Sequence, residues 1–219
     1  MMSTRSGRFA VRTFLGVLFA AQISFASAAP EDDFRAGYKA FHAGDIVHAM
    51  AILKKSADAG HAASQALLGD ILDQAEFDEE AVGYYRKAAL QGNAEGEFGL
   101  GKMYSTGEGV KRDNAEALKW ITRSAERGHV LGTKVLAEAY IKGELGLDEG
   151  RRNGPDAVRW IRAAADLSHI PAIEFLARAY RTGALGLTAD LRQADALDAR
   201  ARALRGIAEN TRTGKKGRR

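Results

Sequence analysis

Apolar residues fall at three- and four-residue steps through most of this chain, and the steps themselves recur. Counting back from Gly60, Gly92, Gly128 and Ser168, the pairs Ala49-Met50, Ala81-Val82, Ala117-Leu118 and Ala157-Val158 stand eleven and ten residues earlier. Ile52-Leu53, Tyr84-Tyr85, Trp120-Ile121 and Trp160-Ile161 stand eight and seven earlier, and Ser56-Ala57, Ala88-Ala89, Ser124-Ala125 and Ala164-Ala165 four and three. Such spacing makes one apolar stripe along a helix. Counting forward, Leu68, Gly69 and Leu72 are matched by Leu100, Gly101 and Tyr104, by Leu136, Ala137 and Tyr140, and by Leu176, Ala177 and Tyr180. A pattern returning every 32 to 40 residues marks a stacked array whose unit is a helical pair.

The expected fold is therefore all-α, a right-handed α-solenoid of about five helix-turn-helix repeats. The predicted helices run over 33–42 and 46–59, 62–74 and 77–91, 94–106 and 113–127, 130–142 and 154–168, then 170–182 and 190–208. Gly60, Gly92 and Gly128 read as C-caps, Asp113 and Asp190 as N-caps, and Pro155 as a first-turn proline. Trp120 and Trp160 occupy one phase of the repeat, which predicts core packing rather than a binding role.

The turn inside each pair lengthens along the chain. The third reads Gly107-Glu108-Gly109-Val110-Lys111-Arg112-Asp113, and the fourth and fifth share Gly143-Glu144-Leu145-Gly146-Leu147 and Gly183-Ala184-Leu185-Gly186-Leu187. The run Leu-Gly-x-x-Tyr, Gly-x-Gly-Val-x-x-Asp, Ala-x-x-Trp, Ala-x-x-Gly over 94–128 resembles the Sel-one-like repeat, a longer-looped relative of the tetratricopeptide repeat. Residues 130–168 resemble it with an insertion, the first two units look like shorter tetratricopeptide hairpins, and the fifth lacks the second-helix aromatic, with Ala199-Arg200 there. The resemblance covers roughly residues 34–207. It implies a protein-binding scaffold, an exported bacterial member, and no enzyme. Some exported relatives restrain a membrane sensor kinase governing exopolysaccharide or envelope stress, which is an alternative role. A cell-wall hydrolase is a third.

Composition adds a destination. Arg5, Arg8 and Arg12 precede the apolar run Phe14–Ala21 and the small residues Ala26-Ser27-Ala28. This is the layout of a cleavable signal peptide. It predicts residues 1–28 as leader, cleavage after Ala28, a repeat domain over 29–208, and a periplasmic location, with an uncleaved inner-membrane anchor as the alternative. The chain has no Cys, so neither disulfides nor thiolate metal sites are available. The pI of 9.3 misleads. The leader and the tail Thr211–Arg219 hold eight of the 32 basic residues and none of the 28 acidic ones. The body between them is mildly acidic, which argues against nucleic acid as a partner. The stretch 209–219 reads as a basic disordered tail, a contact for an anionic envelope polymer or a solvated extension.

Chemistry is thin. Gly96–Lys102 imitates a phosphate loop, but Met103 stands where Ser or Thr must hold magnesium, and the stretch is helical. His61, His129 and His169 share one repeat position, which points to structure rather than to a metal. No cofactor is expected. In the tetratricopeptide-like solenoids that the chain resembles, the first helices line the concave groove, and by offset the resemblance implies a partner-binding groove at Asp70, Asp73, Phe98, Lys102, Lys134, Glu138, Lys142, Glu174, Arg178 and Arg181. Its charge turns from acidic to basic, which suits an extended peptide or protein segment. The long turn Gly143–Gly154 is a second candidate surface.

Overall fold

The computed structural model describes the backbone of residues 28–216 and the side chains of residues 30–206. The predicted leader lies outside the described residues except at Ala28, where the first helix begins. The helices are α1 (Ala28–His42), α2 (Ile46–Asp58), α3 (Ala62–Gln74), α4 (Asp78–Leu90), α5 (Ala94–Thr106), α6 (Asn114–Glu126), α7 (Val130–Lys142), the short α8 (Glu149–Arg152), α9 (Pro155–Asp166), α10 (Ile170–Thr182) and α11 (Leu191–Lys216). Among the described residues there is no strand. Five helical pairs follow in order: α1/α2, α3/α4, α5/α6, α7/α9 and α10/α11, with α8 inside the fourth turn. This is the predicted α-solenoid.

Two boundaries differ from expectation. α1 starts at Ala28 instead of 33, because Pro30 and Glu31 suit a first turn, where no amide partner is needed and negative charge is favoured. α11 continues to Lys216 instead of ending near 208. No proline interrupts that stretch, and the tail predicted over 209–219 is thus helical in backbone up to Lys216.

The repeat positions now have physical meanings. A Cβ placed on Gly37, Gly69 or Gly101 would lie 2.7 Å from Leu53, 2.8 Å from Tyr85 and 2.6 Å from Ile121 respectively. The glycine is what lets the second helix close on the first. Gly60, Gly92 and Gly128 carry φ of 90, 76 and 82°, the left-handed turn that ends a helix. Ser168 adopts the same conformation, with φ of 60°. Trp120 and Trp160 are buried, at 7% and 5% exposure. The largest apolar cluster joins α6, α7, α9, α10 and α11 around Ile121, Leu136, Ile161 and Ile173. A smaller one around Ala49, Leu53 and Ile71 serves the first unit.

Successive first helices also touch. α3 lies against α5 and α7 against α10, while consecutive second helices do not pack on one another to that extent. The predicted groove positions lie on this row of first helices.

Candidate inner-face interaction site

Acidic side chains gather on α3 and α5. Asp70 is half-buried and accepts from Gln74 Nε2 at 2.9 Å. Burial first, and then the charges of Glu95 and Asp73, push its pKa above the ordinary aspartate value. Asp73 accepts from Lys102 Nζ at 2.7 Å and lies 3.5 Å from the Tyr85 hydroxyl. That contact raises the Lys102 pKa and holds the ammonium in place. Lys102 thus neutralises Asp73 instead of standing free in the groove.

The other predicted positions divide. Phe98 stacks on His129 with ring centroids 4.8 Å apart. Glu138 accepts from Lys142 at 2.6 Å and from His169 at 3.0 Å. Glu174 pairs with Arg205. Arg181 donates to Asp195 at 3.1 Å and Asp198 at 2.8 Å, so its charge is shared with α11 inside the last pair. Arg178 lies over the Phe175 ring at 5.5 Å, and Lys134 is half-buried. The inner face is acidic around Asp70, Asp73 and Glu95 and carries Lys134 and Arg178 farther along.

The three equivalent histidines stand at helix N-termini, and two of them cap the helix with the side chain. His61 Nδ1 accepts from the Ser64 amide at 3.2 Å and His129 Nδ1 from the Gly132 amide at 3.0 Å. This leaves the proton on Nε2, which donates to Glu31 at 3.0 Å and to Glu95 at 2.9 Å. Each imidazole thus ties one first helix to the next. His169 makes the same link to Glu138, but its Nδ1 is buried without a partner. Among the described residues no three His, Asp or Glu side chains converge as metal ligands.

The phosphate-loop imitation is a helix. A Cβ on Gly96 would lie 2.4 Å from the Ala88 Cβ, and one on Gly99 2.3 Å from the Tyr85 ring. These glycines serve close packing. Glu97, between them, was not recognisable as a site residue. It is fully buried, and its two oxygens accept from Arg123 Nε and Arg127 Nε, both at 3.0 Å. One signal existed: Gln65, Glu97 and Thr133 share a repeat position and all three are buried polar residues.

The long turn Gly143–Gly154 is tied down. Leu147 is buried, and Arg152 donates to the carbonyls of Tyr140 at 3.1 Å and Ile141 at 2.8 Å, closing the end of α7. Asp148 caps α8. Glu144, Glu149 and Arg151 remain exposed. A crevice of about 560 Å³ opens on the outer side between α2 and α4, over Leu68, Leu72 and Tyr84. No helix of the described residues is long and apolar enough to cross a membrane.

A model of the Sel1 repeat matches residues 39–61, 78–93, 94–129, 135–169 and 170–194, more than half of the chain. The chain belongs to the Sel1 repeat family. The matches leave out α3. The chain is similar to the Sel1 repeat protein from Oxalobacter formigenes, with 25% identity, a TM-score of 0.60, and coverage of 78% of this chain and 70% of that one. It is also similar to c5321, a protective antigen of uropathogenic Escherichia coli strains, at 26% identity and a TM-score of 0.52, over 82% of this chain and 47% of the other. A curated relative, DAP3-binding cell death enhancer 1 of Rattus norvegicus, is 39% identical over 83 residues, which is 37% of this chain. The match spans only 16% of that relative's length. Sel1 repeats are scaffolds for protein–protein interaction.

Proposed function

We propose that this chain is a non-catalytic docking scaffold that holds an extended peptide or protein segment along its inner helical row, after export to the periplasm. The observation that carries the reading is the charge order of that row. Carboxylates of α3 and α5 stand at one part, and Lys134 and Arg178 stand at another. Such order selects partner and register more than it adds affinity. The outer helices present the backs of the repeats, with Trp120 and Trp160 sealed inside. Export rests on the leader layout of residues 1–28, and the basic tail is offered to anionic envelope polymer.

The test is capture from envelope extracts by the mature protein and by a Lys134→Glu/Arg178→Glu variant. Both side chains lack carboxylate partners among the described contacts, so reversal should leave the melting midpoint nearly unchanged. Loss of the captured proteins supports the inner face. An unchanged set of partners sinks it. Restraint of a membrane sensor kinase is one form the same docking could take, and the captured proteins would reveal it.

A further inference from the structure

One cavity on the inner face exists because a repeated motif is missing there. In the first and third units the same two positions carry Glu31 with Phe34, and Glu95 with Phe98. Each pair receives the histidine that opens the next first helix. His61 lies 5.1 Å from the Phe34 ring and 3.0 Å from Glu31. His129 lies 4.8 Å from the Phe98 ring and 2.9 Å from Glu95. In the second unit the corresponding residues are Ala63, Ala66 and Asn93. The space between the two filled units stays open as a cavity of about 230 Å³. Phe34 and Tyr38 form one wall, Ala66 and Leu67 the floor, and Asp70 and Glu95 the other side.

We propose that this cavity receives the side chain of an arginine carried by an extended basic peptide. The inference rests on the reading of the inner row as a peptide groove. Phe34 and Tyr38 both line the cavity, and Tyr38 is 47% exposed, so an aromatic ring is within reach of a guanidinium. The carboxylates of Asp70 and Glu95 supply the acceptors a planar fork of N–H donors requires. The alanine and leucine floor suits the aliphatic stem. Lys102, the nearby cation, makes its ion pair with Asp73 and offsets the Asp70 charge only in part. Asp70 sits in that site at a cost, since burial and the charges of Glu95 and Asp73 disfavour its ionised form. An arriving cation would remove that cost.

The test uses the mature full-length protein and pentapeptide mixtures with a fixed central residue and capped ends. The central residue is arginine, lysine or citrulline, which keeps the shape of arginine without its charge. The arginine mixture should bind about tenfold more tightly than the citrulline mixture, with lysine weaker than arginine. Ala66→Phe, which installs the residue of the first and third units, should fill the cavity and abolish binding while the protein stays folded. Asp70→Asn should lose about tenfold in affinity yet melt higher than the parent, so the loss cannot be ascribed to unfolding. Equal binding of arginine and citrulline mixtures, or parental affinity in Ala66→Phe, overturns the proposal. If those results come with loss of partners in Lys134→Glu/Arg178→Glu, the groove stands and only this arginine site falls.

Discussion

Glu97 shows how one buried charge can be held by a partner set rather than a partner. Its carboxylate is fully buried, while Arg123 and Arg127 remain 40% and 47% exposed. Removing either arginine leaves one charge-assisted hydrogen bond in place, so each Arg→Ala change should cost about 1 kcal/mol. Removing both strands the carboxylate in the interior, and the double variant should lose about 3–5 kcal/mol. Urea unfolding of the two singles and the double measures the excess. Simple additivity would show that the carboxylate is solvated after all. This residue was hard to read because an isolated Glu among glycines looks like part of a loop motif. Its burial depends on arginines 26 and 30 residues away. By contrast, Trp120, Trp160 and the junction glycines were legible, since the repeat places each of them at one position several times. The histidines were legible as structural residues, but their capping and their links to Glu31, Glu95 and Glu138 depend on the spacing between helices.

At the scale of one helix, α4 is the element the repeat leaves least complete. Gly83 stands where later units carry Lys119 and Arg159, which lie 5.0 Å and 4.4 Å from the rings of Trp120 and Trp160. Tyr84 takes the place of the tryptophan. The result is the outer crevice and a helix with glycine in its interior. A Cβ at Gly83 meets nothing within 4 Å. Gly83→Ala should therefore stabilise the protein by about 0.5–1 kcal/mol through reduced backbone freedom in the unfolded chain. The urea midpoint reports this, and a fall in stability would mean that α4 needs its glycine for packing. Element boundaries were legible wherever a cap residue marks them, as at Asp113, which accepts from the Ala115 and Glu116 amides. The two long turns were less so. Leu145 and Leu185 adopt φ of 55° and 59°, a conformation that leucine disfavours on its own. Both pack against the main core, so tertiary contact overrides local preference. The turn at 143–154 is accordingly a folded lid on the end of α7 with only part of its charge free for contact.

In the whole molecule, side-chain ties run from each first helix to the next, and their carboxylates link the stack to pH. Hydrogen bonding from His129 holds the Glu95 pKa below the ordinary carboxylate value. Lys142, with His169, does the same for Glu138. A lowered carboxylate pKa means that the folded state favours the ionised form. That stabilisation is complete above the usual carboxylate range and disappears as pH falls through the folded-state pKa. Asp70 has the opposite sign. Its raised pKa is a penalty at neutral pH that acid relieves, set first by burial and then by the charges of Glu95 and Asp73, with Lys102 opposing them. Because the stack stands by contacts between neighbours, loosening the ties between α5 and α7 and between α7 and α10 should weaken it as one body. Glu138→Gln should cost up to about 1 kcal/mol at pH 7, the range for a partly exposed pair. The gap to the parent should narrow as pH falls through the folded-state pKa of Glu138, which lies below the ordinary carboxylate value. Urea midpoints of the two proteins, measured in steps from pH 7 to pH 3, follow that convergence. A gap that stays constant across the range would mean that Glu138 stabilises through its shape and not through its charge.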